Sequence, residues 1–357
     1  MAISQIPEIE TPIKTLASDN AAGTHPRILE ALTACNPGHQ MPYGADDYSK
    51  AAQAMFENLF GRRLGMFFAF NGTGANILAL SGMLNRCDAV ICAQTAHLVD
   101  DETGAPEAIL GAKLVTVPTP DGKLTPELIR PCLAAKGNFH HAQPRVVAIA
   151  QLTEVGTLYT PDEVRALGDF CHENGLYLFM DGARLSNAVT SLNVPVKSVT
   201  SDAGVDVLVF GGTKNGCAFG EAVLVFNPEL EARYPVLRKG AGQLASKMRY
   251  IAAQFLCYVG EGIYLENARR ANAAAQRLAQ GLEKMEGVSI LYPVQGNEIF
   301  LTMPESWIEP LQSFMYFNVM GQGMCRLVTS FDITDEDVDD FLNWAQVQAQ
   351  GESIHIK

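Results

Sequence analysis

Hydrophobic and polar positions follow two alternating patterns between about residues 64 and 226. Short apolar runs of strand length are separated by longer stretches in which apolar positions recur at helical spacing. This alternation is typical of an α/β protein with a mostly parallel central sheet. The predicted strands cover residues 64–70, 89–93, 113–117, 145–151, 176–180, 205–210 and 222–226.

The pattern changes near residue 265. A long helix is predicted over residues 267–285, and short strands mixed with helices follow it to the end of the chain. We therefore predict a large domain over residues 16–264. An N-terminal arm (1–15) precedes it, and a smaller α+β domain (265–357) follows it.

Composition narrows the class of protein. The 357 residues are 48% apolar and carry a formal net charge of −13, which argues against a nucleic-acid or anionic-membrane partner. The eight cysteines form no C-x-x-C pair and no Cys/His ligand spacing, so we expect a reducing compartment, no disulfide framework and no metal site. Because the sequence shows neither a signal-peptide pattern nor an apolar run of membrane-spanning length, the expected location is the cytoplasm.

The stretch VDVLVFGGTKNG offers the first candidate for chemistry. A predicted buried strand ends in Gly211-Gly212-Thr213, where there is no room for bulk, and the chain then presents Lys214. A desolvated lysine amine loses its proton more easily and can attack a carbonyl. This stretch alone would still favour the alternative of an ordinary solvated loop lysine.

Further polar groups follow other predicted strands at the same edge of the sheet, where open parallel sheets bind their ligands. They are Gly72, Thr73 and Gly74 at a helix start, His97, Glu154 after Thr153, Asp181 with Arg184, and Lys214. Each has an ordinary alternative: a helix cap for the glycine turn, a surface position for His97, and an ion pair with Arg184 for Asp181. Together they suit one ligand, because a lysine binds an aldehyde, a helix N-terminus binds a phosphate and a carboxylate binds a protonated ring nitrogen. That ligand is pyridoxal 5'-phosphate (PLP).

Motifs along nearly the whole chain resemble one enzyme family. They read ASDNAAG, PYGADDYS, NGTGANILAL, AHLVDDETGAPE, LTEVGTLYTPDEV, MDGARLSNA, FGGTKNG and RLVTSF. The set is similar to the threonine aldolase branch of the aspartate-aminotransferase-like PLP enzymes of fold type I, often grouped with the β-eliminating lyases. Within that branch it looks closest to the low-specificity L-threonine aldolases and phenylserine aldolases.

The resemblance implies roles for the residues that match the motifs. Lys214 would hold PLP covalently, Asp181 would pair with its ring nitrogen, and His97 would stack on its ring. Gly72, Thr73 and Gly74 would hold the phosphate.

The resemblance also implies roles for residues near the substrate. Arg184 would lie beside the cofactor and the substrate carboxylate, and Arg326 and Ser18 would bind that carboxylate. Glu102 would lie near the active site, and Arg249 would reach the site of a neighbouring subunit.

One position departs from many members of the family. They carry a histidine after the threonine at the fourth strand end, where this chain has Glu154, a feature shared by the phenylserine type. The group that takes the proton of the substrate hydroxyl is therefore left open between His97, acting directly or through a water, and other residues.

The implied function is retro-aldol cleavage of L-3-hydroxy-α-amino acids, such as L-threonine, L-allo-threonine or L-phenylserine, to glycine and an aldehyde. A related PLP-dependent β-lyase or aminotransferase, and a non-catalytic binding protein of the same fold, are the alternatives. The resemblance also implies a homodimer or homotetramer. The sequence does not rank the substrates, their stereochemistry or the pathway.

Overall fold

The computed structural model describes residues 14–321 and 323–350, so most of the predicted N-terminal arm lies outside the described residues. A seven-stranded sheet forms the centre of the fold, in the order β1-β7-β6-β5-β4-β2-β3. Its strands are β1 (Gly65–Ala69), β2 (Asp88–Ala93), β3 (Lys113–Val117), β4 (Gln143–Ala150), β5 (Tyr177–Gly182), β6 (Val207–Gly211) and β7 (Glu221–Val225). Each lies within two residues of its predicted position.

The sheet is mostly parallel, as predicted, and β7 is its exception. This strand runs antiparallel to both of its neighbours, β6 and β1. The chain between β6 and β7 is too short to hold a crossover helix, and a parallel neighbour needs such a crossover. The prediction placed β7 at the end of the strand series and did not foresee that it inserts between β6 and β1.

Helices cover both faces of this sheet. They are α1 (Pro26–Ala34), α2 (Asp47–Phe60), α3 (Gly72–Met83), α4 (His97–Asp100), α5 (Ala105–Leu110), α6 (Pro126–Ile129), α7 (Pro161–Glu173), α8 (Leu185–Leu192), α9 (Pro228–Glu231), α10 (Tyr234–Gly240) and α11 (Arg249–Gly260). Alternate residues of β4 belong to different core clusters, with Val147 and Ile149 on one face and Val146 and Ala148 on the other. A parallel strand that is apolar along its whole length must be buried on both faces, as β4 is.

A second, antiparallel sheet follows, in the order β10-β11-β9-β8. Its strands are β8 (Ser289–Ile290), β9 (Glu298–Thr302), β10 (Asn318–Gly321) and β11 (Met324–Val328). Its helices are α12 (Ile263–Leu282), α13 (Glu305–Phe314) and α14 (Asp335–Gln350). The mostly parallel large sheet with a smaller α+β part agrees with the predicted fold class, whereas the domain boundaries near residues 16 and 265 stay a proposal.

Leu16 joins the second sheet although it lies near the start of the chain. Its amide donates to the carbonyl of Tyr316 at 2.7 Å, and its carbonyl accepts from the amide of Val328 at 2.7 Å. Its side chain is buried in the same core cluster as Leu278 and Phe341. The residues directly after Leu16 are therefore held by the C-terminal part of the fold.

Among residues 14–321 and 323–350, no helix is long and apolar enough to cross a membrane.

Candidate active site

A pocket of about 360 Å³ opens at the carboxyl ends of the parallel strands. It brings together several predicted residues from separate strand ends and adds others that the sequence did not single out. The predicted residues that line it are Gly72, Thr73, His97, Glu154, Asp181 and Lys214. The added residues are Asn20, Phe70, Asn71, Asn76, Ala183, Val209, Thr213, Phe219 and Glu221.

Lys214 lies in a 3₁₀ turn, Thr213–Asn215, directly after β6. The preceding glycines are required by close packing, since a Cβ on Gly211 would lie 2.5 Å from the carbonyl oxygen of Ala183. The side chain of Asn215 holds the turn in place through two hydrogen bonds. Its Nδ2 donates to the Tyr258 hydroxyl at 2.7 Å and to the Tyr264 carbonyl at 2.9 Å. The backbone is therefore fixed before Lys214 by the packing of Gly211 and after it by the hydrogen bonds of Asn215.

The start of α3 supplies donors for an anion. Asn71 caps the helix by accepting from the amide of Gly74 at 2.7 Å, which leaves the first two amides, of Gly72 and Thr73, pointing out of the helix without an intrahelical acceptor. Both residues line the pocket. Gly74 does not line the pocket. A Cβ there would overlap the side chain of Gln243 at 2.5 Å, so this glycine serves the approach of Gln243.

Four side chains form a hydrogen-bonded chain along one wall. Asn76 Nδ2 donates to Asp181 Oδ2 and to Glu102 Oε1, both at 2.8 Å, and His97 Nδ1 lies 3.0 Å from the same Glu102 oxygen. The backbone amide of Ala183 donates to the other Asp181 oxygen at 2.9 Å. Asn76 was missed, although a single asparagine in the apolar run ANILAL was a usable signal.

The hydrogen bond to the Glu102 carboxylate is the largest cause of a raised pKa at His97, and burial, the next largest effect, lowers that pKa. Glu154 and Asp181 add to the increase. A histidine with a raised pKa retains its proton further into the neutral range. The His97 imidazole that lines the pocket therefore favours its protonated, positively charged form.

Arg184 does not pair with Asp181. Its Nε donates to Asp19 Oδ2 at 2.8 Å, its Nη2 donates to Asp19 Oδ1 at 3.0 Å, and its Nη1 lies 3.4 Å from Glu298 Oε2. The ion pair that the sequence offered as the ordinary alternative for Asp181 is therefore wrong. Neither Asp19 nor Glu298 was predicted, because no local pattern indicates which acid meets an arginine more than a hundred residues away.

Arg184 does not line the pocket, and neither do the three other residues predicted to bind the substrate or reach a neighbouring subunit. Ser18 caps a 3₁₀ turn, accepting from the amide of Asn20 at 3.2 Å, and so supports a residue that does line the pocket. Arg326 is half-buried on β11, and its Nη2 lies 3.4 Å from the Ala17 carbonyl. Arg249 lines a separate surface pocket, where it donates to the carbonyls of Asn36 and Gly38.

Two carboxylates that line the pocket have pKa values raised to about 7. Burial is the largest cause at Glu154, and the charge of Glu298 adds to it. Burial is also the largest cause of the raised pKa at Glu221. The hydrogen bond of 2.7 Å that Glu221 Oε2 accepts from the amide of Gly212 acts in the opposite direction and lowers that pKa. Glu221 was missed, although an acid at the start of the apolar strand EAVLV stands out.

These groups fit the three polar parts of PLP. Lys214 offers an amine for the aldehyde, the free amides of Gly72 and Thr73 offer donors for the phosphate, and Asp181 offers a carboxylate for the ring nitrogen. Asn76 and Ala183 hold the carboxylate of Asp181 in place without adding a positive charge to compete for it.

Comparison with known proteins gives a family match, similar sequences and similar structures. The family model described as β-eliminating lyase matches residues 15–306. A low specificity L-threonine aldolase of Pseudomonas aeruginosa is 43% identical over 325 residues, which is 90% of this chain and 94% of that protein. The structure of a threonine aldolase from Leishmania major superposes with a TM-score of 0.89 at 31% identity, over 95% of this chain and 100% of that one. An aspartate aminotransferase from Rhodobacter sphaeroides shares the fold alone, with a TM-score of 0.67 at 14% identity.

Proposed function

This chain belongs to the β-eliminating lyase family, in its threonine aldolase branch, and from that premise we propose that it cleaves L-threonine and related L-3-hydroxy-α-amino acids to glycine and an aldehyde. Its cofactor is PLP. The observation that supports the proposal best is the meeting of Lys214, Asp181 and the free amides of α3 in one pocket.

We propose that Lys214 holds the cofactor covalently, that Gly72 and Thr73 bind its phosphate, and that Asp181 keeps a proton on its ring nitrogen. When bound, PLP accepts the electron pair that remains at Cα after the Cα–Cβ bond breaks. Asp181 would favour the acceptance of that electron pair, because a protonated ring nitrogen attracts electrons more strongly. Asn76 supports Asp181 by donating a hydrogen bond that fixes the direction of its carboxylate.

Arg326 is proposed to bind the substrate carboxylate. A guanidinium makes two parallel hydrogen bonds to a carboxylate and so fixes its orientation. Its Nε is buried without a hydrogen-bond partner among the described residues, and its Nη2 lies against the segment that leads to Ser18 and Asn20. For Arg184 we now propose a positioning role, because Asp19 already engages two of its nitrogens.

Two groups that face the pocket handle protons, and we propose different tasks for them. Glu102 favours the protonated form of His97, which suits stacking and hydrogen-bond donation better than proton removal. Glu154, with a pKa of about 7, changes its protonation state in the neutral range. We therefore propose Glu154 as the acceptor of the substrate hydroxyl proton, in the position where many relatives carry histidine.

The test is an assay of the purified protein with PLP and a panel of amino acids. L-Threonine, L-allo-threonine and L-phenylserine are incubated separately, and glycine and aldehyde are measured in equal amounts as the expected products. β-Chloroalanine and an α-keto acid are run beside them. Ammonia and pyruvate from β-chloroalanine without glycine from threonine would identify a β-lyase instead, and amino transfer to the keto acid would identify an aminotransferase.

Failure of the protein to take up PLP at all would support the non-catalytic alternative. The order of the substrates is an outcome of the same panel. The homodimer or homotetramer and the cytoplasmic location stay predictions from the sequence.

A further inference from the structure

The side chain of Gln243 reaches the turn between β1 and α3, where the pocket has its free amides. Gln243 Oε1 accepts a hydrogen bond of 2.9 Å from the amide of Phe70, the residue directly after β1. A Cβ placed on Gly74, in the first turn of α3, would lie 2.5 Å from Gln243 Nε2. The carboxamide of Gln243 therefore contacts the chain on both sides of residues 71–73, which line the pocket.

The backbone of Gln243 is itself held by the end of a helix. Gln243 is the third residue after α10, and its amide donates to the carbonyl of Arg238, in the last turn of that helix, at 3.0 Å. Gly242, with a φ of 72°, supplies the left-handed conformation that ends the helix there. The side chain of Gln243 therefore starts from a fixed position beside α3.

The helix α10 also contacts α3 at its other end. Tyr234, its first residue, is buried, and the Tyr234 hydroxyl donates to the carbonyl of Ala79 on α3 at 2.8 Å. A Cβ on Gly82 would lie 2.1 Å from Tyr234 Cζ, so Gly82 leaves room for this ring as Gly74 leaves room for the carboxamide. The two glycines are eight residues apart, which is about 12 Å along a helix. The segment 234–243 therefore runs beside α3 and contacts it near both ends.

We propose that Gln243 is a positioning residue for the phosphate of the cofactor. Its contacts hold the turn that carries the amides of Gly72 and Thr73, which have no acceptor within the helix and so are free to bind an anion. Gln243 lies outside the pocket lining, so it acts through the backbone of this turn. This inference rests on the proposed function, because it takes the anion bound there to be the phosphate of PLP.

The phosphate and the other polar parts of PLP would meet different parts of the sheet. Lys214 and Asp181 stand at the ends of β6 and β5, and β7 separates both of these strands from β1. Pyridoxal has the aldehyde and the ring nitrogen of PLP but lacks its phosphate. A loosened turn after β1 should therefore weaken the binding of PLP and leave that of pyridoxal nearly unchanged. A general loss of stability would weaken both.

The test measures the Kd for PLP and the Kd for pyridoxal by fluorescence titration of the cofactor-free protein. In Gln243→Ala we expect the Kd for PLP to rise about 10-fold, as for the loss of one hydrogen bond, and that for pyridoxal less than about 2-fold. Gln53→Ala is the matched control. Gln53 is half-buried like Gln243, and its Nε2 donates to the carbonyl of Leu64, directly before β1, at 2.7 Å. The ratio of the two Kd values in this control should equal that of the parent.

Gly74→Ala is a second variant that tests the same contact from the other side. Its methyl group would take the space of the Gln243 carboxamide, and because that end of the side chain can move away, the protein should fold. We expect it to weaken PLP binding as Gln243→Ala does. In the double variant the methyl group has room, so the loss should equal that of Gln243→Ala alone. Losses that add would mean that Gly74 acts on the phosphate independently of Gln243.

An unchanged ratio of the two Kd values in Gln243→Ala would overturn the proposal, and so would additive losses in the double variant. If Gln243→Ala does not fold, an unchanged ratio in Gly74→Ala overturns it in the same way. A parent protein that binds PLP but cleaves no amino acid of the panel would refute the proposed cleavage, while the ratios still decide the role of Gln243. A parent protein that binds no PLP would refute both.

Discussion

Asp19 and Arg184 lie 165 positions apart in sequence and form a buried, doubly hydrogen-bonded ion pair next to the pocket-lining residues Asn20 and Ala183. Burial by itself would raise the pKa of Asp19, but the charges of Arg184 and Lys214, together with the hydrogen bonds from Arg184 and Asn297, hold that pKa below the usual range. Breaking such a buried pair by removing one partner costs about 3–5 kcal/mol, because the other charge stays buried. We expect Asp19→Ala to lower the free energy of unfolding by that amount.

Urea denaturation of parent and variant without cofactor measures this loss. Glu266→Gln is the control, because Glu266 and Arg270 form an exposed pair on one turn of α12. Removing an exposed pair is worth less than about 1 kcal/mol. Equal losses in the two variants would show that the Asp19–Arg184 contact is not buried in solution.

Lys214→Ala should fold, since the side chain points into the pocket and the turn is held by Asn215. Without the amine, the variant cannot hold the cofactor covalently. After borohydride reduction of the loaded proteins, mass spectrometry should find the cofactor mass on the Lys214 peptide of the parent and on no lysine of the variant. Modification of a different lysine in both proteins would remove Lys214 from its proposed role.

Asn76→Leu should weaken cofactor binding, because Asn76 Nδ2 separates the carboxylates of Asp181 and Glu102. Its loss leaves both acids without that donor. We expect the Kd for PLP to rise at least 10-fold, which corresponds to about 1.4 kcal/mol.

The control for this variant is Asn187→Leu. Asn187 is equally buried and bonds to Asn272 on α12, away from the pocket. Both variants should lose stability, but only Asn76→Leu should change the Kd measured by fluorescence titration. A similar change in both would assign Asn76 a purely structural role.

Arg326→Leu should retain PLP and lose substrate affinity, because the residue is proposed to bind the substrate carboxylate. The loss of a charge-assisted pair in a closed site predicts a fall in kcat/KM of about 30-fold or more. Arg326→Lys should recover little, since an ammonium lacks the planar fork. The check compares binding of an amino acid with that of its decarboxylated amine. If the Leu variant prefers the amino acid as strongly as the parent does, the carboxylate is held elsewhere.

Glu221 predicts a pH dependence of stability. Burial raises its pKa to about 7 in the folded chain, above its value of 4.5 in the unfolded chain. The folded state therefore binds more protons between these values, so its stability falls as the pH rises through that range. Glu221→Gln removes this loss.

For Glu221→Gln without cofactor, the difference in Tm from the parent should increase between pH 5 and pH 8. The gain in unfolding free energy at pH 8 is expected to be about 3 kcal/mol. Glu305→Gln, which removes an exposed acid at the start of α13, is the control for the loss of a carboxylate. A flat difference for Glu221→Gln would mean that its carboxylate ionises normally in the folded state.

The sequence predicted what depends on local order along the chain. Strand ends in a parallel sheet meet at one edge, so the residues after β2, β4, β5 and β6 could be assigned to one pocket from the alternation alone. The apolar run VLVFGG before Lys214 fixed both the strand and its abrupt end.

What the sequence could not predict depends on which distant groups meet. Arg184 could have paired with Asp181, three positions away, and its pairing with Asp19 and Glu298 is set by the second sheet. The same holds for the reversed strand β7 and for Glu221, whose exposure to the pocket follows from that reversal. These contacts are fixed by tertiary packing, which overrides local pattern.

The backbone bonds of Leu16 to Tyr316 and Val328 also set an order in time. During synthesis the N-terminal part of a chain emerges first, yet Asp19 is fastened by Asn297, 278 positions later, through a bond of 3.0 Å. Arg184 is synthesised well before Asn297, and therefore before the hydrogen bond between Asn297 and Asp19 can form. A nascent chain that ends before Asn297 already contains Arg184, the ion-pair partner of Asp19, but lacks Asn297 and the residues that bind Leu16. Every residue that lines the pocket precedes Asn297 in the chain, so this support of Asp19 is synthesised after all of them.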